Sequence, residues 1–179
     1  MGEIAERYGR RADAFERKVA AVRPEQWANQ SPCAQWTARD VVEHVVTMHA
    51  AMLTPVARKL EPAYDPLTAF QEARAAIEDV LDDPIAALTE TATPAGPMTT
   101  EQHIDQVISD DLVLHGWDLA RATGQDELMD PLDVERLWAA ANAIPSAEYR
   151  GVEKYGAEVP VAADAPLQDR LLGLLGREP

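Results

Sequence analysis

The 179-residue sequence predicts an all-α protein, an antiparallel helical bundle, from three observations. Apolar residues recur at steps of three and four along several segments, which is the spacing of one helix face. Proline and glycine punctuate those segments and leave loops between them. The composition is 46% hydrophobic with four Trp, enough to form a core, and the length suits one domain spanning residues 1–179.

The helices are bounded by recognisable start and stop signals. Thr37 and Asp40 form the pattern of a capping box at the start of the second helix, and Pro55 stops that helix near residue 53. Asp65 is a cap followed by proline, which starts the third helix. Gly124 is the expected C-terminal cap of the fourth. The expected helices, with approximate bounds, are 2–22, 37–53, 65–81, 100–123, 131–143 and 167–175.

The connections contain little periodicity. Residues 84–98 are expected to form a loop with one short turn. Residues 149–161 are expected to form an irregular C-terminal tail, with an extended piece at 158–161, before the final short helix.

Charge and cysteine content narrow the function classes. A net charge of -15 argues against nucleic acid and against anionic membrane surfaces as partners. No apolar run approaches the ~20 residues that cross a bilayer, and the N-terminus lacks the pattern of a signal peptide. The single cysteine, Cys33, excludes an intramolecular disulfide and fits a reducing compartment. We therefore expect a cytoplasmic protein.

Three polar residues on apolar helix stripes are the candidate site. His44 lies on the core-facing stripe of the second helix, and Asp111 and His115 lie one turn apart on that of the fourth. Two imidazoles and one carboxylate around one centre are the ligands of an open divalent-metal site. The spacing leaves two other interpretations open: histidines satisfied within the core, or an ordinary surface pair along one helix.

The residues around this set receive supporting or separate roles. Asp118 and Glu43 are the nearest acids in sequence and are candidates for orienting a ligand imidazole. His49 lies about 140° round the helix from His44, so it is expected to be solvated or partly packed. Cys33 precedes the second helix and is expected to be a small buried residue under Trp36, with a nucleophilic role as the alternative.

Three segments resemble a known family. Residues 32–44 (PCAQWTARDVVEH) resemble the entry to the second helix of DinB-like proteins, in the branch related to the N-terminal domain of mycothiol-dependent maleylpyruvate isomerase, common in actinobacteria. Residues 111–124 (DLVLHGWDLARATG) resemble the second ligand segment of that branch. Residues 159–179 resemble the C-terminus of a small metal-binding subfamily within it.

The resemblance implies a DinB-like antiparallel four-helix bundle, here with extra short helices, and a divalent metal held by three side chains. Carried across by position, the two histidine ligands fall on His44 and His115. The carboxylate four residues before the last histidine is Glu in the isomerase branch and is Asp111 in this sequence.

Three functions are compatible with this set. The first is a metal-dependent thiol transferase or isomerase, using zinc (with nickel, iron or manganese as alternatives), a low-molecular-weight thiol such as mycothiol, and a small-molecule electrophile. Glutathione and bacillithiol are anionic and fit an acidic protein less well. The second is a metal-dependent hydrolase. The third is a non-catalytic metal-binding stress protein, with a homodimer through an exposed helix face as an option.

Overall fold

The computed structural model describes residues 2–93, 96–143 and 156–179, and these are mostly helical, as predicted. The chain forms two compact units, Met1–Asp126 and Glu127–Pro179. The expectation of one domain for the whole chain stays a prediction. No helix in the described part of the chain is long and apolar enough to cross a membrane.

The elements agree closely with the predicted helices. The α-helices are α1 (Glu3–Ala20), α2 (Ala38–Leu53), α3 (Pro66–Asp82), α4 (Pro84–Ala87), α5 (Thr100–His103), α6 (Ser109–Thr123), α7 (Pro131–Ala143) and α8 (Leu167–Leu174). A π-helical turn, Ile104–Ile108, joins α5 to α6 into one continuous helix. Short 3-10 turns occur at Pro24–Gln26 and Thr54–Val56, and the strands are β1 (Glu90–Thr93) and β2 (Gly96–Thr99).

The helix ends follow the predicted capping signals. The Thr37 hydroxyl accepts a hydrogen bond from the Asp40 amide, and the Asp40 carboxylate accepts one from the Thr37 amide at 2.7 Å. Asp65 caps α3 by accepting from the Thr68 amide. Gly124 ends α6 with φ at 67°, a left-handed conformation that favours glycine. These caps satisfy backbone groups that a helix cannot pair internally.

Residues 84–98 correct the sequence-based expectation of a loop. They contain α4 and an antiparallel hairpin in which Glu90 pairs with Thr99 and Thr93 with Gly96. The hairpin lacks apolar alternation, so hydrophobic periodicity could not reveal it. Its threonines are β-branched and suit a strand backbone.

Four helices of the first unit close into a bundle. Helix α1 contacts α3 and α6, and α2 contacts the same two helices. The core between them is apolar and includes large, fully buried side chains: Tyr8, Phe15, Phe70, Ile77, Ile108 and Leu119. This arrangement confirms the all-α, DinB-like fold, and it brings α2 against α6, the two helices with the candidate ligands.

Two arginines of α1 bind the region of the π-helical turn. Arg7 donates to both carboxylate oxygens of Asp105, at 2.8 and 2.9 Å. Arg11 donates to Ser109 Oγ at 3.1 Å and to Asp110 Oδ1 at 2.7 Å. The Arg7 pair with Asp105 is bidentate, and Asp105 is only 7% exposed. The pair therefore fixes both the position and the rotation of the π-helical turn against α1.

His49 corrects a second expectation, because it is 1% exposed rather than solvated. Its Nδ1 lies 2.7 Å from the Val45 carbonyl oxygen and its Nε2 lies 3.1 Å from the Tyr8 hydroxyl. A carbonyl only accepts, so Nδ1 carries the proton and the Tyr8 hydroxyl donates to Nε2. Helix α2 packs against two neighbours and therefore buries a wider arc than one stripe, which takes in His49 and leaves His44 at its edge.

The second unit contains α7, α8 and the segment before α8. Gln168 accepts from the Met129 amide and donates to the Glu127 carbonyl, and Arg170 stacks on the Trp138 ring at 4.8 Å. The expected irregular tail falls partly outside the described residues, at 149–155. Its described part, 156–161, has no regular element, and Val159 donates to the Gly173 carbonyl.

Candidate metal centre

His44, Asp111 and His115 converge on one point between α2 and α6. Each offers a ligand atom, and the three atoms lie within 4.8 Å of one another. His44 Nε2 is 3.9 Å from Asp111 Oδ2, and the two imidazole rings meet edge to face with centroids 4.9 Å apart. Ligands bound at ~2.0–2.2 Å to one ion lie about 3–4 Å apart, and the 3.9 Å between His44 Nε2 and Asp111 Oδ2 falls in that range. The 4.8 Å bound on the whole set exceeds it, so binding one ion would draw the three side chains slightly together.

The cluster is partly open on one side. The side chain of His115 is 9% exposed, whereas those of His44 and Asp111 are 28% and 20% exposed. A structural metal site is closed on all sides, whereas a catalytic one keeps a position for water or substrate. The exposed edges of His44 and Asp111 leave one side of this cluster accessible to solvent.

A buried carboxylate fixes the orientation of His115. Asp118 is 0% exposed, and its Oδ2 lies 2.9 Å from His115 Nδ1. Because an ionised carboxylate only accepts, the proton lies on Nδ1 and the lone pair is left on Nε2, the form in which a histidine binds a metal. Asp118 thus lies where a residue that orients a ligand should lie. Glu43, the other candidate, pairs with Arg39 at 3.7 Å and its side chain is 60% exposed.

Trp36 forms an aromatic wall beside the cluster. Its ring centroid is 4.6 Å from that of His44 and 5.8 Å from that of His115. It is held by the loop before α2, where its amide donates to the Cys33 carbonyl and its own carbonyl accepts from the Ser31 amide. An aromatic face here limits access of water to one side of the centre.

Cys33 is the residue whose position the sequence did not reveal. It is partly buried, and its Sγ lies 3.5 Å from Asp118 Oδ2, so it is not simply a small core residue under Trp36. Cys33, His115 and Asp118 form a second group whose potential ligand atoms lie within 4.8 Å of one another. The only sequence signal was the position of Cys33 just before α2, and the 85-residue separation from Asp118 hid the contact.

His49 does not belong to this centre, despite its place on α2. Burial lowers the pKa of His49 to about 4, against smaller opposing effects of the Val45 carbonyl and the charge of Asp111. Burial also raises the pKa of the Tyr8 hydroxyl. The pair is therefore a neutral, hydrogen-bonded couple inside the core.

The fold and the cluster define a class, a helical bundle with two histidines and one carboxylate gathered between two of its helices. The chain belongs to the mycothiol maleylpyruvate isomerase N-terminal domain family, whose sequence profile matches residues 8–120. It is 35% identical over 173 residues to an uncharacterized protein of Mycobacterium tuberculosis strain CDC 1551 / Oshkosh, covering 94% of each chain. The same values hold for an uncharacterized protein of Mycobacterium tuberculosis strain ATCC 25618 / H37Rv. No solved structure shows a significant match.

Proposed function

We propose that this protein is a divalent-metal-dependent thiol transferase or isomerase that uses a mycothiol-type thiol. Its metal ligands would be His44, Asp111 and His115. The observation that supports this most is the convergence of their ligand atoms within 4.8 Å at a partly open position. Zinc is the first choice of ion for two imidazoles and a carboxylate, with nickel, iron and manganese as alternatives.

The chemistry of the donor set fits a thiol cosubstrate. A bound divalent ion would lower the pKa of a thiol and hold it as the reactive thiolate. The donor set itself contributes one negative charge, from Asp111, because both histidines bind as neutral imidazoles. One further anion is needed to neutralise a divalent ion in this position, and a thiolate supplies that charge.

The residues around the three ligands would orient a ligand, exclude water and leave an approach for substrate. Asp118 holds the His115 ring in one tautomer through the 2.9 Å hydrogen bond to Nδ1. Trp36 excludes water on its side of the centre, and the exposed edges of His44 and Asp111 leave an approach for the thiol and a small electrophile. A cytoplasmic location belongs to this proposal, since low-molecular-weight thiols are kept reduced there.

Hydrolysis is the less favoured alternative because it needs a general base beside the metal. Asp118 is completely buried, and its carboxylate is already hydrogen-bonded to His115 Nδ1, so its role is to orient the His115 ring. Glu43 is exposed and paired with Arg39. Neither of these acids has the free approach to substrate that a general base requires.

The test combines metal content with thiol consumption. The purified protein should carry about one divalent ion per chain, which His115→Ala should lose. His44→Ala should lose the binding of Mn²⁺, an ion that suits imidazole and carboxylate ligands, and circular dichroism should show an intact helical fold in both variants. His103→Ala, which changes a histidine on α5, is the matched control and should retain the ion.

The loaded protein is then offered an electrophile together with mycothiol, glutathione or bacillithiol. Consumption of mycothiol that disappears in His115→Ala supports the proposal. A bound ion with no thiol consumed would favour the non-catalytic metal-binding protein, and ester or amide cleavage would favour the hydrolase. Full metal retention in both ligand variants would refute the ligand assignment.

A further inference from the structure

The second group beside the proposed centre has its own chemistry. We propose that Cys33, Asp118 and His115 form a thiolate-containing site for a soft or borderline divalent cation such as Cd²⁺ or Zn²⁺. This site shares His115 with the set that includes His44 and Asp111, so one chain fills one site or the other.

The three side chains are already arranged around one carboxylate oxygen. Asp118 Oδ2 is 3.5 Å from Cys33 Sγ and 2.9 Å from His115 Nδ1, and all three groups offer ligand atoms within 4.8 Å of one another. Sulfur, nitrogen and oxygen donors at such separations can bind one tetrahedral ion with small side-chain rotations.

The charge balance favours a dication at this position. Asp118 is 0% exposed and His115 is 7% exposed, so a net charge here would be expensive to bury. One thiolate and one carboxylate carry two negative charges, which a divalent ion cancels. The donor set of His44, Asp111 and His115 supplies only one negative charge and leaves a divalent ion with one charge uncompensated.

The loop that carries Cys33 holds it in place without an ion. The Cys33 amide donates to Ser31 Oγ at 3.2 Å, and its carbonyl accepts from the Trp36 amide and from Gln30 Nε2 at 2.9 and 3.0 Å. A ligand whose backbone is already fixed loses little conformational freedom when it binds. Cys33 itself is partly exposed, which gives an ion a route to the group.

Binding is a proton exchange without electron transfer. The Cys33 S–H bond breaks, the sulfur–metal bond forms, and that proton passes to the buffer, while the His115 proton moves from Nδ1 to Nε2 so that the Nδ1 lone pair binds the ion. Affinity at this site therefore falls as pH is lowered. Ligand softness separates the two sets, because thiolate selects soft ions whereas the imidazole and carboxylate set also suits manganese.

The chain has a single cysteine, so any thiolate–metal signal reports Cys33 alone. Chelator-treated, reduced protein is titrated with Co²⁺, and the thiolate-to-cobalt charge-transfer absorption is recorded. In parallel, alkylation of Cys33 is timed with and without Cd²⁺. We expect the absorption in the parent protein and an alkylation rate at least about tenfold slower with Cd²⁺, because the free thiolate is the nucleophile.

The variants separate this site from the proposed catalytic one. Cys33→Ser should lose the absorption yet still bind Mn²⁺, and the double variant His44→Ala with Asp111→Asn should keep both the absorption and the protection. His115→Ala should lose them. If that double variant keeps the absorption but the parent consumes no thiol, the second site stands and the proposed function fails.

The converse results overturn the second site. A parent protein that binds Co²⁺ or Cd²⁺ without thiolate absorption and without protection of Cys33 has its ion elsewhere. Absorption that survives unchanged in His115→Ala means that the cysteine binds the ion without the cluster. Either result refutes the assignment while leaving the thiol-consumption test untouched.

Discussion

Replacement of His49 by glutamine should remove much of the acid sensitivity of the folded protein. In the fold the imidazole is 1% exposed, donates to the Val45 carbonyl and accepts from the Tyr8 hydroxyl. Burial lowers its pKa from 6.5 to about 4. Glutamine also offers one donor and one acceptor but does not titrate.

Proton linkage gives the direction and the size of the change in unfolding free energy. Below pH ~6.5 the unfolded chain protonates His49, whereas the folded chain keeps it neutral until about pH 4. The stability that the neutral His49 contributes is therefore complete above pH ~6.5 and is lost as the pH falls toward 4. The loss reaches about 3 kcal/mol, at ~1.4 kcal/mol for each pH unit between the two pKa values.

The assay is urea unfolding of the parent and His49→Gln at several pH values between 7.5 and 4.5, in the presence of a chelator. At pH 7.5 the imidazole is neutral in both states, so the difference there reports packing and hydrogen bonding alone. The difference in unfolding free energy should then shift in favour of the variant as the pH falls. Parallel pH profiles for the two proteins would refute the buried neutral imidazole.

Four further substitutions test aromatic packing, an ion pair and a helix cap. Trp117→Ala should lower the free energy of unfolding in urea by about 3–5 kcal/mol, because the residue is 2% exposed. A loss under ~1 kcal/mol would contradict its burial. Trp36→Ala should cost less, because that residue is partly exposed. Arg7→Ala should cost about 3 kcal/mol by leaving Asp105 without its bidentate partner, and equal stabilities would show that the pair contributes nothing. Gly124→Ala should lower the unfolding free energy by about 1–2 kcal/mol, since its φ is 67°; an unchanged melting temperature would argue against the left-handed cap.

Local signals determined how much of the fold could be predicted from sequence. Thr37 with Asp40, Asp65 before Pro66 and Gly124 act within one turn, and the helices begin and end where those residues indicate. The hairpin of β1 and β2 was not predicted, because its residues show no alternation of apolar and polar side chains. His49 was misjudged because the width of the buried arc on α2 depends on two neighbouring helices, which no single-helix wheel contains.

The candidate site was likewise predictable where its residues share one helix and unpredictable where they come from different elements. Asp111 and His115 are four residues apart on one helix, so their convergence follows from helical geometry, and Asp118 lies on the same helix three residues further on. His44 joins the set only through the packing of α2 against α6, which its core-facing stripe suggested and the resemblance to a family also implied. The contact of Cys33 with Asp118 joins a loop to a distant helix, and neither periodicity nor spacing carries that information.

The π-helical turn at Ile104–Ile108 has a consequence for any deletion made in this helix. Its i→i+5 hydrogen bonds accommodate one extra residue within a single turn, so the helical segments before and after it keep nearly the phase of an uninterrupted α-helix. Asp105 is bound to α1 through Arg7, while Asp111 and His115 must face α2. Removing one residue within the turn would restore ordinary α-helical bonding and leave both faces nearly in place, whereas removing one residue from the regular part of α6 before Asp111 would rotate one end by about 100° against the other. After a deletion in α6, the helix could keep its ion pair with α1 or direct its ligands toward α2, but not both. The π-helical turn is therefore the part of this helix where the loss of one residue is best tolerated.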